Sequence, residues 1–334
     1  MDLVCYEKFT ENKAIVDPTL LRKGVLDNLL EDEKSSVVTY CDIQKEITLE
    51  MRKIVTVWMK EVTEEQKCQL EVFLLAVNYM NRFLNICQVR RNQLQLVGTA
   101  CMLIASKLRE STPLTAKLLI FYTDNSITLF QLLQFEQLIL SKLKWDIVVV
   151  TPLDFLQLIV RKVSMEPTVC SRSEVDERAK ALISYCTCEH IFWWLRPSLI
   201  AASCIASVLH VRRMIYNRKL DKMLEQICAM TKIKMGSLQM HVKHVHETIH
   251  RQSMTSGKSE QIEEYTTTSE EGDARKDDEF TTLLLDDDVV PVPADIAHCV
   301  ALPTRRIHSK GMSEQKRSDS MLTLRSTLNG GKAC

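Results

Sequence analysis

Two stretches of this chain, 94–107 (LQLVGTACMLIASK) and 197–211 (PSLIAASCIASVLHV), are apolar or small around almost the whole helical circumference. A helix of that kind has no face to offer water, so it must lie at the centre of other helices. Ser198 to Val211, the longest near-apolar run, has 14 residues and is too short to span a bilayer. Amphipathic segments surround each stretch in the same order. Met51, Ile54, Val55 and Trp58 fall at i, i+3, i+4 and i+7, the stripe of one helix. Thr63 to Gln66 reads as a capping box opening a second helix through LEVFLLAVNYMNRFL, and a third runs from about Gln93 to Leu108. Pro113 stands at the entry to a short fourth, and Thr128 to Gln131 is a capping box for a fifth that ends near Trp145. The pattern then restarts. Thr151-Pro152-Leu153-Asp154 has a cap, a first-turn proline and an acid in order, Ser173 to Asp176 caps the next helix, and Pro197 opens the second apolar one. Leu220 to Met230 and Met235 to Ile249 complete the set. The pattern predicts an all-α chain of two stacked five-helix domains.

Composition narrows the chemistry. Of eight glycines only Gly24, Gly98 and Gly236 lie in the first 250 residues, so there is no G-x-G-x-x-G and no Walker loop. The 12 cysteines are scattered through apolar segments without framework spacing, which fits reduced thiols. The N-terminal MDLVCYEKF lacks the basic and apolar regions of a signal peptide, and a chain in the nucleus and cytoplasm is expected. Basic and acidic residues balance at 43 each, which leaves no bulk attraction to nucleic acid or an anionic membrane.

Near residue 251 the composition changes. Residues 251–300 hold 13 acidic side chains against 4 basic, and 301–334 hold 7 basic against 2 acidic. A segment so rich in Ser, Thr, Asp and Glu cannot offset its ordering entropy, so a disordered tail is expected over 251–334. The predicted organisation is a flexible N-terminus (1–20), a first domain with a preceding helical segment (21–150), a second domain (151–250) and the tail.

Two charges stand out of place. In the fifth helix Leu129, Leu132, Leu133, Ile139 and Leu140 lie at −7, −4, −3, +3 and +4 from Glu136, so the carboxylate projects from an apolar stripe. Lys107, with Leu103 and Ile104 at −4 and −3, is placed in the same way. An unpaired buried charge costs several kcal/mol, so each needs a partner, in this chain or another, unless it sits at the stripe's rim.

These residues carry a resemblance. MRKIVTVWMKEV, EEQKCQLEVFLLAVNYMNRFL, LQLVGTACMLIASK, YTDNSI and LILSKLKWD resemble, in order and spacing, the first cyclin box of a D-type cyclin, densely over about 44–150 and as helix pattern alone over 151–250. The resemblance implies two cyclin-box domains, with Lys107 and Glu136 holding the regulatory helix of a cyclin-dependent kinase. It implies a non-catalytic activator that needs no cofactor, metal or catalytic residue of its own. It also implies a substrate-docking patch for basic-x-leucine motifs at Met51, Ile54, Val55, Trp58 and Glu61, with Arg91, Leu94 and Gln95 from the third helix. From the periodicity alone, the Met51–Trp58 stripe is core. At the N-terminus Leu3, Cys5 and Glu7 form L-x-C-x-E, spaced to present one face when extended, and in the family this motif binds the retinoblastoma pocket. The implied partners are a cyclin-dependent kinase, a retinoblastoma-family protein and cyclin-dependent kinase inhibitors. Nucleic acid and membrane are not among them.

Other signals point elsewhere. His246-Glu247-Thr248-Ile249-His250 matches H-E-x-x-H, the zinc-protease signature, but the tail rather than a structured third ligand follows it. Cys186, Cys188 and His190 make C-x-C-x-H, yet i, i+2 spacing on a helix splits the two thiols between faces and favours core. A cyclin-fold adaptor of the transcription-factor or pocket-protein type, without kinase activation, is the alternative. It calls for a basic face, and the first 250 residues hold only 32 basic side chains to 28 acidic. The tail departs from vertebrate D-type cyclins, whose Thr-Pro phosphosite has no counterpart: no Ser or Thr in 251–334 precedes a proline.

Overall fold

The computed structural model describes residues 23–36, 43–164, 171–211 and 217–256. Among them every regular element is helical: α1 (Lys23–Ser36), α2 (Leu49–Glu65), α3 (Leu70–Leu84), α4 (Leu94–Arg109), α5 (Ala116–Tyr122), α6 (Leu129–Lys142), α7 (Pro152–Lys162), α8 (Arg172–Thr187), α9 (Pro197–Val211), α10 (Asn217–Thr231) and α11 (Met235–Ser256). Helices α2–α6 form one five-helix bundle and α7–α11 a second. The two all-round apolar sequences are their axes: α4 packs against α2, α3, α5 and α6, and α9 against α7, α8, α10 and α11. From Leu94 to Ser106 every residue of α4 except Gln95 is buried.

Caps explain most of the helix starts. Thr128 Oγ1 accepts from the Gln131 amide at 3.2 Å while Gln131 Oε1 accepts from Thr128 N at 2.9 Å, the reciprocal box expected. Asp154 closes the same arrangement on Thr151 at 2.7 Å, with Pro152 in the first turn of α7. Two expected starts are corrected. Thr63 is no cap: it is buried in the last turn of α2, its hydroxyl donating to the carbonyls of Met59 and Lys60 at 3.0 Å. The stripe continues through buried Val62, so the helix runs on, and the chain reverses at Lys67, whose φ is 54°, before α3 begins at Leu70. For α8 the cap is Ser171, which accepts from Glu174 N at 3.1 Å, rather than Ser173.

Helices α1 and α11 both tie the two bundles to their surroundings. The helical segment preceding the first bundle, α1, packs on α7 and α9 of the second. Its Glu33 is fully buried, accepting from Ser198 N at 2.9 Å and from the Ser198 hydroxyl at 2.8 Å, so it satisfies an orphan amide at the start of α9. Burial raises the Glu33 pKa, and the Ser198 hydrogen bonds oppose that rise. Helix α11 continues to Ser256, past the expected end at 250, with Arg251 Nη1 placed 3.4 Å from Glu189. Glu189, 1% exposed, also pairs with Lys53 of α2 at 2.9 Å. One buried carboxylate therefore ties the first bundle, the α8–α9 connection and the end of α11 together.

The Met51–Trp58 stripe lies against α4. Gly98 permits the approach: a Cβ there would stand 2.9 Å from Val55 Cγ1 and 3.1 Å from Met59 Sδ. The same packing sets how far each residue of the implied docking patch reaches the surface. Val55, Trp58 and Leu94 are core at 0%, 3% and 0% exposure, whereas Met51, Ile54, Arg91 and Gln95 are half-buried and Glu61 is exposed. Trp58 is thus a floor residue and not a projecting anchor.

Truncating it should expose what it supports. Trp58→Ala should lower unfolding stability by about 3–5 kcal/mol, read as a reduced melting temperature and denaturation midpoint. An unchanged midpoint would mean that Trp58 is not part of the core. Acid should act on the second bundle through its histidines. Burial lowers the pKa of His241, His244 and His246 from 6.5 in each case. The unfolded chain then takes up protons first, so stability present above pH 6.5 is lost as pH falls through that value. The urea midpoint should drop between about pH 7.5 and 5.5, and less so in His241→Asn, which cannot titrate in that range.

Candidate docking site

Lys107 leaves the buried axis in the last turn of α4, where a cation suits the helix C-terminus. Glu136 projects from α6, which packs against α4, and the two side chains meet at 2.5 Å. The expected pair therefore forms within the chain. Its members are not equivalent: the Glu136 side chain is 12% exposed and the Lys107 side chain 49%. An ammonium has three donors. With one directed to Glu136, the others face solvent at a fixed position.

The surface around the pair was only partly legible in advance. Leu132, Ile139 and Leu140 of the anticipated α6 stripe are buried, but Leu129 and Leu133 are exposed. Nine large apolar side chains stand out as exposed among the described residues, and seven of them lie between residues 121 and 148: Phe121, Leu129, Phe130, Leu133, Leu138, Trp145 and Val148. Scattered exposed apolar residues need no explanation, but such a concentration marks a protein contact. The available signal was an excess: α6 has more apolar residues than one helical face can bury.

Trp145 is the most unusual member. Lys144 and Trp145 both adopt left-handed backbone, with φ of 54° and 59°, a conformation costly for residues with a Cβ. The segment is held from behind. Trp145 N donates to Leu140 O at 2.9 Å, Arg82 forks onto Asp146 with both contacts at 2.8 Å, and the Tyr79 hydroxyl donates to Ile147 O at 2.6 Å. Desolvation raises the Tyr79 pKa, which keeps that phenol a donor. The outcome is an indole 70% exposed on a rigid turn just beyond α6.

The thiols and imidazoles form no comparable site. Cys101 and Cys186 are fully buried in apolar surroundings that raise their pKa, and burial pushes Cys188 up to about 12, so none is a ready thiolate. His246 lies beside His210, ring centroids 5.8 Å apart and planes tilted by 44°, and burial holds its pKa down. Among the described residues no three His, Cys, Asp or Glu side chains come together as metal ligands, so the H-E-x-x-H pair lacks a third protein ligand there. No described helix is long and apolar enough to cross a membrane. Leu3, Cys5, Glu7 and the tail beyond Ser256 lie outside the described residues.

Comparison with known proteins gives the same architecture a lineage. Residues 24–148 match the cyclin N-terminal domain and residues 150–275 the cyclin C-terminal domain. The chain is 42% identical over 212 residues to G1/S-specific cyclin-D1 of Xenopus laevis, covering 63% of this chain and 72% of that protein. It is 40% identical over 210 residues to the Homo sapiens cyclin-D1, covering 62% and 70%. The solved structure of a viral cyclin from herpesvirus saimiri superposes with a TM-score of 0.56 at 26% identity, covering 66% of this chain and 97% of that one. Two five-helix bundles, both domain matches and this degree of identity agree: the chain belongs to the D-type cyclin family.

Proposed function

We propose that this D-type cyclin, a regulatory subunit of a cyclin-dependent kinase, holds its kinase through the Lys107–Glu136 pair and the apolar belt of α5, α6 and Trp145, and directs it to retinoblastoma-family substrates at the G1/S transition. The observation that carries the kinase contact is the belt itself, seven exposed apolar side chains around a charge pair that is already formed. A kinase is active only when its C helix packs inward and completes a lysine–glutamate ion pair. An amphipathic helix laid on this belt would gain apolar burial along its length, and backbone carbonyls at its end would accept the free Lys107 donors. No catalytic residue of the cyclin takes part.

Substrate choice rests on two further elements. Met51, Ile54, Arg91, Gln95 and exposed Glu61 form a shallow polar and apolar rim over the buried Trp58, and the Trp58 indole N–H has no hydrogen-bond partner. That rim suits a peptide with one basic and one leucine side chain, from substrates or kinase inhibitors alike. The L-x-C-x-E at Leu3, Cys5 and Glu7 supports retinoblastoma recruitment from its sequence pattern. With such a substrate, the reading we propose has the complex working in the nucleus as well as the cytoplasm.

Reversing one charge tests the kinase face. Lys107→Glu should abolish kinase binding in a chain that still folds, since reversing a charged contact costs about 2–5 kcal/mol of affinity. Its melting temperature should fall somewhat, because the desolvated Glu136 loses its partner. Trp145→Ala should weaken binding by about 2 kcal/mol with no loss of stability, as an exposed anchor does. Wild-type affinity of both variants for every cyclin-dependent kinase assayed would remove this face from the interface. Recruitment is tested by deleting residues 1–8. Kinase binding and activity on a short peptide should persist, while the rate on dilute full-length retinoblastoma protein should fall through loss of tethering. Equal rates on that dilute substrate would make the motif a coincidence.

A further inference from the structure

A kinase that selects proline after its acceptor residue needs a Ser or Thr before proline, a hydroxyl at the surface and extended backbone around it. Of the eight prolines in this chain only two follow a serine or threonine, Pro113 after Thr112 and Pro152 after Thr151. The two pairs differ. Thr151 is 4% exposed, its hydroxyl donates to Asp154 at 3.0 Å and Pro152 is the first residue of α7, so that pair is engaged in starting a helix. Thr112 and Pro113 are exposed and lie between α4 and α5, which begins only at Ala116.

The backbone around Thr112 is already extended. Glu110 has φ −92° and ψ 139°, Thr115 has φ −80° and ψ 146°, and a residue before proline is steered sterically to the same region. Both ends of the segment are pinned. Glu110 Oε1 accepts from Gln69 N at 2.7 Å, and buried Leu114 donates its N–H to Ser106 Oγ at 3.3 Å. Ser111, Thr112 and Pro113 form an exposed arch between these fixed points. The Cα atoms of Thr112 and Leu114 are at most about 7 Å apart, the reach of two extended residues. Thr112 therefore stands beside the last turn of α4, where Lys107 follows Ser106. Arg109 of that turn is engaged by Glu71 at 2.8 Å, whereas Lys107 keeps donors beyond the one given to Glu136.

We propose that Thr112 is the acceptor site of a proline-directed protein kinase, and that a phosphate there draws Lys107 away from the docking face and weakens binding of the cyclin-dependent kinase. In the transfer Thr112 Oγ1 bonds to the γ-phosphorus of ATP, the bond from that phosphorus to the bridging oxygen breaks and ADP departs. The hydroxyl proton passes to the catalytic aspartate of the modifying kinase. The product carries close to two negative charges beyond the C-terminal end of α4. Lys107 has donors to spare, so the phosphate takes those that a docking partner's acceptors would use. The effect on docking rests on the kinase face proposed above; the acceptor assignment does not.

Full-length protein would be incubated with ATP and a mitogen-activated protein kinase, a proline-directed enzyme, and the phosphorylated residues mapped by mass spectrometry. Affinity for a cyclin-dependent kinase would be measured before and after. Phosphate should appear on Thr112 and not on Thr151. Affinity should fall roughly tenfold, the ratio one charge-assisted hydrogen bond confers, and recover on phosphatase treatment. Thr112→Val should bind as the unmodified protein does and lose nothing on treatment. An unmodified Thr112 would overturn the acceptor assignment. A phosphorylated Thr112 with unchanged affinity, or a loss that persists in Thr112→Val, would overturn its effect on docking. Wild-type affinity of Lys107→Glu would instead remove the docking face itself, and the mapped phosphate stands or falls independently of that result.

Discussion

The burial of α4 from Leu94 to Ser106, with Gln95 alone excepted, is the constraint from which the rest of the first bundle follows. A helix with no polar face needs neighbours on every side, and α2, α3, α5 and α6 supply them. Gly98 lets α2 come close enough that Val55 and Met59 fill the space a side chain would occupy. Each neighbour spends one face on α4, and what it does with the other decides function. Helix α3 turns its second face to α8 and the bundle seam. Among the described residues no further helix packs extensively on the outside of α6, yet it exposes Leu129, Phe130, Leu133 and Leu138. A monomer gains nothing from that arrangement, and a partner does.

The seam between the bundles is built differently, with buried carboxylates. Glu189 receives Lys53 of α2 and Arg251 of α11 across it, while Glu33 fixes α1 to the head of α9 beside it. Buried ion pairs contribute little net stability because desolvation offsets the Coulomb gain, but losing one partner leaves an uncompensated charge. Their effect is therefore directional: they permit one mutual placement of the bundles and penalise others. Apolar burial would hold the two bundles together as firmly but would fix their orientation less sharply.

Most of the helices could be read from periodicity and caps, and the failures have identifiable causes. Thr128 and Thr151 were recognisable as caps because an acceptor follows each at the third position, with Asp124-Asn125-Ser126 before the first and Pro152 directly after the second, as the structure has it. Thr63 carried the same local signature, yet tertiary burial of Val62 extended the helix through it. Lys107 and Glu136 stood out as charges on apolar stripes, and they do meet. Periodicity alone made the Met51–Trp58 stripe core, and Val55 and Trp58 are core, but the period does not say how closely the facing helix approaches; the residue that permits the approach, Gly98, lies on a different helix. The exposure of Trp145 depends on a left-handed turn held by Arg82 and Tyr79, more than sixty residues away in sequence. Long-range contacts of that kind leave no periodic trace.

That the Lys107–Glu136 pair exists before any partner arrives determines how a partner can use it. Glu136 is already largely desolvated, so docking takes little further water from it, and its charge fixes the lysine in place. The ordering entropy of a long flexible side chain is thus mostly met during folding, which is what preorganisation contributes to affinity. Lys107 remains half-exposed and retains donors for acceptors that the partner brings. The apolar belt supplies affinity without much directional preference, whereas the lysine demands acceptors at one point on it. A partner that buried the belt and offered no acceptor there would strand an ammonium in apolar surroundings, at a cost of several kcal/mol. Selectivity at this surface therefore comes from the single cation and affinity from the hydrophobic side chains around it.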